Sequence, residues 1–157
     1  MTQPTEFEIR PLVGIGPILF GMMRQEVDAA MRDLGGGEPH PKCPACNTFF
    51  NSSFQVHYDD KNRVEFIETA AHEAFRVLLA GRVLHEMLAE DAAAAASGTS
   101  QGRWEEARHT YIVPSSELAL WRAVTPEANP DSDDQRGRRF DVVGAGRYGY
   151  FSATSRS

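Results

Sequence analysis

Apolar and polar residues alternate through Phe7, Glu8, Ile9 and Arg10, the period-two pattern of a strand with one buried face. Glycines and a proline at Gly14, Gly16 and Pro17 then break regular structure. Beyond them the period changes. Met23, Val27, Met31 and Leu34 recur at spacings of four, four and three, which predicts a helix near 22–34 with one apolar face. Gly35, Gly36 and Gly37 end it, because glycine readily takes the left-handed cap conformation. Residues 35–47 read as a loop rich in Gly and Pro, followed by strands at Thr48–Phe50 and Phe54–Tyr58. Asp59, Asp60, Lys61 and Asn62 form a turn, and Val64–Glu68 returns as the partner strand of a hairpin.

A similar order of elements follows. Phe75–Leu79 reads as a strand, Gly81 as a break, and 83–96 as a helix carrying the run Ala92–Ala96. Leu84, Leu88 and Ala92 share a face of that helix. Strands are expected at 109–113 and 118–122. The second sets Leu118, Leu120 and Arg122 on one face and Ala119 and Trp121 on the other. Residues 125–139 are an exposed polar excursion, and 140–143 and 148–151 form the last β elements. The pattern predicts an α+β fold. Two similar strand–helix–antiparallel-sheet halves, about 6–70 and 74–152, pack as one compact domain over 1–157.

Composition narrows the function classes. The chain has 157 residues, and 41% hydrophobic with 24% charged residues suits a water-exposed globule. No apolar run approaches the ~20 residues of a membrane span, and the first residues lack a secretory pattern, so the expected location is cytoplasmic, away from membranes. A net charge of −6 argues against nucleic-acid binding and favours steering toward a basic partner.

Few motifs carry chemistry. Cys43 and Cys46 have the spacing of a zinc half-site or a redox pair, and His40 and His57 are the candidate remaining ligands. With no second pair of this kind, the expected cofactor is none, and zinc or redox chemistry at this loop is the alternative. Gly144, Gly146 and Gly149 match a dinucleotide fingerprint. The eight residues after Gly149 hold neither the helix nor the strand that such a site needs, so the glycines are read as a bent strand. No P-loop and no HExxH motif is present, and the expectation is that the protein is not an enzyme.

Phe20-Gly21-Met22 with Val27 and Leu34-Gly35, the Tyr58-Asp59-Asp60 hairpin, Leu120-Trp121-Arg122 and the closing Tyr148-Gly149-Tyr150 resemble small bacterial proteins built of strand–helix–hairpin units. Many of those look like immunity proteins of polymorphic toxin systems. The duplicated plan is also similar to that of tandem-repeat β-lactamase inhibitor proteins. One departure is that Met23 and Arg24 stand where a Ser or Thr cap is usual. The resemblance implies a non-catalytic inhibitor that occludes a partner, such as a basic toxin domain. Asp59, Asp60, Glu65, Asp131, Asp133 and Asp134 are the acidic contacts expected from charge, with Trp121 and Tyr148 as aromatic anchors. The further alternative is a ligand-free module that forms a homodimer through sheet edges.

Overall fold

A computed structural model describes residues 3–98, 100–125 and 137–151. Among the described residues it contains thirteen strands and two complete α-helices, an α+β fold as the pattern predicts. In the first half these are β1 Thr5–Arg10, β2 Gly14–Ile15, β3 Ile18–Leu19, α1 Arg24–Asp33, β4 His40–Cys43, β5 Cys46–Phe49, β6 Phe54–Tyr58 and β7 Val64–Ala70. In the second half they are β8 Phe75–Leu79, β9 Arg82–Val83, α2 Ala89–Ser97, β10 Arg103–Glu105, β11 Thr110–Val113, β12 Leu118–Trp121 and β13 Val142–Gly146.

The halves share their sheets. Four strands from each half fuse into one eight-stranded antiparallel sheet of order β10-β11-β12-β13-β7-β6-β5-β4. The junction is β13 against β7, with Val143 opposite Thr69 and Ala145 opposite Ile67. The leading strands form a second sheet, β3-β2-β1-β8-β9, in which β1 and β8 run parallel with Phe7 opposite Val77. One sheet per half was expected from local patterning. Sharing pairs the two leading strands with one another, and it pairs β7 and β13, which would otherwise be sheet edges.

Alternation decides which face is buried. On the inner face Phe54, Val56, Ile67, Leu120 and Val143 are wholly buried, in one cluster with Val27 and Met31 of α1 and Ala92 and Ala93 of α2. Phe7, Phe50, Phe54 and Phe75 meet there, Phe7 to Phe75 at 5.3 Å between ring centres and Phe50 to Phe75 at 5.0 Å. Such pairs contribute roughly 0.5–1.5 kcal/mol beyond burial.

Three local expectations change. Helix α1 starts on Met23 without a hydroxyl cap; the Glu26 carboxylate instead accepts the Met23 N–H at 3.0 Å. Within the expected loop, β4 and β5 form a hairpin. Leu88 is the residue before α2, so Leu84 lies in a separate 3₁₀ turn, Leu84–Glu86, and Leu88 is half-exposed. The buried stripe of α2 is Ala89, Ala92, Ala93 and Ala96, small enough for close approach of helix and sheet.

Candidate functional site

The outer face of the eight-stranded sheet carries the side chains that alternation turns away from the core. Register places one row across all eight strands: Arg103, Ile112, Ala119, Gly144, Glu68, Gln55, Thr48 and His40. A second row runs Glu105, Thr110, Trp121, Val142 and Ala70. Inner neighbours are buried, whereas Gln55, Glu68, Ala70, Ala119 and Val142 are part-exposed and Trp121 is 40% exposed. Eight strands at ~4.8 Å spacing make a face ~34 Å across.

One end of this face is covered by the chain itself. Tyr150 stacks on Phe66 at 4.6 Å with the rings 2° from parallel. The stack needs the glycines of β13. A Cβ on Gly144 would come within 2.6 Å of the Phe66 ring, and one on Gly146 within 2.8 Å of Tyr150. Gly144 and Gly146 are therefore spaces for aromatic side chains in a paired strand, whereas Gly149 lies beyond it in a left-handed turn position at φ 84°. Glu117, buried and left-handed at φ 54°, accepts the N–H groups of Gly149 and Phe151, each at 2.9 Å. Arg147 donates to Asp59 at 2.7 Å and to Glu65 at 3.2 Å. Residues 148–151, expected as a strand, are instead a turn at 148–149 leading into helical residues at 150–151, strapped over the sheet.

That strap changes the reading of the acidic residues. Asp59 also accepts the N–H groups of Lys61 and Arg63, closing the hairpin turn. Burial alone would raise its pKa, but the Arg63 N–H, the Arg147 guanidinium and the Lys61 N–H outweigh this and hold the carboxyl below its ordinary value. Asp59 and Glu65 are engaged by Arg147 and do not form an open acidic patch. Asp60 is exposed beside them, and Tyr148 is 84% exposed on the strap. Asp131, Asp133 and Asp134 lie outside the described residues.

At the other end of the face lies a groove of about 350 Å³. Its floor is Ala70 and Val142, and Trp121 stands on one side. Glu68, Gln55 and Lys42 supply the polar wall. The Lys42 ammonium donates to the Gln55 side-chain oxygen at 3.2 Å, and His57 Nε2 lies 3.3 Å from a Glu68 oxygen. Two hairpin loops flank this end. Residues 50–52 and 106–108 each hold three successive left-handed residues, with φ of 53°, 54° and 71° and of 51°, 53° and 70°. Each turn is closed by an N–H···O bond of 3.1 Å, Ser53 to Phe50 and His109 to Glu106. Left-handed backbone costs a non-glycine residue roughly 1–2 kcal/mol, and burial of Phe50 against Phe75 helps hold the first turn.

The alternative site behaves differently from its sequence reading. Cys43 and Cys46 are backbone register partners across the β4–β5 hairpin, and Cys46 is disulfide-bonded. A disulfide sulfur is not a zinc-binding thiolate, so zinc would require reduction first. His40 is exposed at the sheet edge, whereas His57 pairs with Glu68. Among the described residues no three His, Cys, Asp or Glu side chains converge as a metal site, and no helix is long and apolar enough to cross a membrane. Buried His85 has its pKa lowered by loss of solvation, with its ring nitrogens 3.4 Å from the Thr69 hydroxyl and from the Phe140 carbonyl.

The sequence reading offered Trp121 as an anchor and set it on the strand face opposite Leu120, without deciding which aromatics are exposed, and it missed Lys42, Gln55 and Glu68. Glu68 was legible as an outward position of a strand. What could not be read is that its strand adjoins β13, some 74 residues later. No known family model, curated protein or solved structure matches this chain.

Proposed function

We propose that the protein is a non-catalytic binding protein, an immunity-type inhibitor that neutralises a protein partner by occluding it, and that it docks through the outer face of the eight-stranded sheet. The observation that carries this reading is Trp121, 40% exposed above a groove in a broad face, on a strand whose inner residues are buried. Exposing this much indole to water is unfavourable, and tryptophan is among the residue types that dominate interface energetics. The two left-handed hairpin turns support it further, because strained backbone held by packing gathers at functional sites.

The charge mechanism is narrower than composition suggests. With Asp59 and Glu65 tied to Arg147, the net charge of −6 steers a basic partner at long range, while contact affinity rests on Trp121 and the groove. Association therefore weakens with salt mainly through its on-rate.

The test is capture of the partner from the source organism at low salt, followed by reconstitution with the purified partner. The expected result is a stoichiometric complex that suppresses the partner's activity and is lost in Trp121→Asp. A complex indifferent to Trp121→Asp sinks the reading. So does the absence of any partner together with one zinc per chain, which would redirect attention to Cys43 and Cys46.

A further inference from the structure

We infer that the groove beside Trp121 is a socket for an arginine side chain of the partner protein. The inference rests on the outer face being the docking surface. It begins from a contrast between the chain's two tryptophans. Trp104 carries two guanidinium groups of its own chain over its ring, Arg108 at 4.5 Å and Arg122 at 4.8 Å from the ring centre. Among the described residues no cation stands on Trp121. An exposed indole face attracts a guanidinium through its quadrupole, and more strongly once water is excluded.

The rest of the groove supplies what the guanidinium fork requires. Register sets Trp121 opposite Val142 and Val142 opposite Ala70, so the small Ala70 lies two strands, roughly 10 Å, from Trp121. That span leaves room for one flat side chain. Glu68, two residues before Ala70 and directed to the same face, brings a carboxylate into the groove. One of its oxygens faces His57 at 3.3 Å, and carboxylates accept through both oxygens.

Lys42 also lines the groove, with its ammonium on the Gln55 carbonyl. A second compact ammonium would meet that charge with nothing planar to offer the indole. A guanidinium is more weakly hydrated, stacks, and forks onto a carboxylate, so the groove selects arginine over lysine. The net charge of −6 brings such a partner toward the face.

The experiment is a nitrogen-edited NMR titration of the full chain with N-acetyl-arginine-N-methylamide, and separately with its citrulline counterpart, which has the same shape but no charge. Isolated side chains bind weakly, so millimolar concentrations are needed, on the order of 10 mM. The expected result is movement of the Trp121 indole signal and of the Glu68 and Ala70 amides with arginine only. Binding should be weakened about fivefold or more in Glu68→Gln and retained in Trp121→Phe. Equal shifts with citrulline, shifts elsewhere on the chain, or indifference to Glu68→Gln would overturn the socket. The two readings fail separately: partner capture that depends on Trp121, with no arginine response, removes the socket alone. Capture that ignores Trp121 removes the docking face as well.

Discussion

The two faces of the eight-stranded sheet are made by the same strands yet are organised by different physics. The inner face is filled by large apolar side chains, among them Phe54, Val56, Ile67 and Leu120, which are wholly buried against both helices and the five-stranded sheet. The outer face mixes small and polar residues with the aliphatic Ile112 and Val142, and two of its aromatic residues, Phe66 and Trp121, sit at opposite ends. Phe66 is covered by the chain's own Tyr150, whereas Trp121 is left to solvent. The comparison teaches that core and surface are separated by one residue of register. Leu120 belongs to the core and Trp121 to the surface.

Breaking the inner face should have the largest effect. Leu120→Ala should lower unfolding free energy by about 2–5 kcal/mol, the range for emptying a packed core position, measured by urea denaturation. If the loss were under about 1 kcal/mol, the inner face would not be the packed core described. Next is the strap. Removing the two acceptors of Glu117 in Glu117→Ala should cost about 1–3 kcal/mol. Amide exchange at Gly149 and Phe151 should accelerate well beyond the global change, while the Trp121 environment stays put.

A smaller effect belongs to His85, whose folded pKa lies below the ordinary 6.5 because burial disfavours its charge. The unfolded chain then binds more protons than the fold just below 6.5. The stability that His85 allows is fully present above that pH and is lost as pH falls toward the folded pKa, by at most ~1.4 kcal/mol per pH unit. Denaturation midpoints between pH 7 and 5 should show this slope, and His85→Gln should flatten it. The smallest expected stability change is for Trp121→Ala, within about 0.5 kcal/mol as for exposed positions, although the same change should abolish partner binding. A large destabilisation would instead make Trp121 a structural residue and erase the contrast between the faces.

Some of this was readable along the chain. The turn Asp59–Asn62 between two alternating runs did become the β6–β7 hairpin, with Asn62 left-handed at φ 59°. The stripe through Val27 and Met31 did become the buried face of α1. Alternation set Trp121 on the face opposite Leu120 and Arg122, and the structure makes that face the outer one. Other features failed because competing local signals were equally good. The alanine run correctly marked a helix but not its start, since Leu84 and Leu88 are spaced as a helical stripe although Leu84 lies in a separate 3₁₀ turn and Leu88 stands just before α2. The acidic hairpin looked available because its counterion, Arg147, lies 88 residues from Asp59.

Local order in the chain determined where the chain extends, turns and coils, and which side of each strand is apolar, because alternation, helical spacing and turn chemistry act over a few residues. Tertiary structure alone decided that β7 meets β13, that β1 runs beside β8, that Glu117 ties down the turn at Gly149, and that Lys42, Glu68 and Trp121 line one groove. Those pairings depend on which edges and apolar faces remain to be buried after every local element has formed. That competition is settled across the whole chain, and no short window of residues contains it.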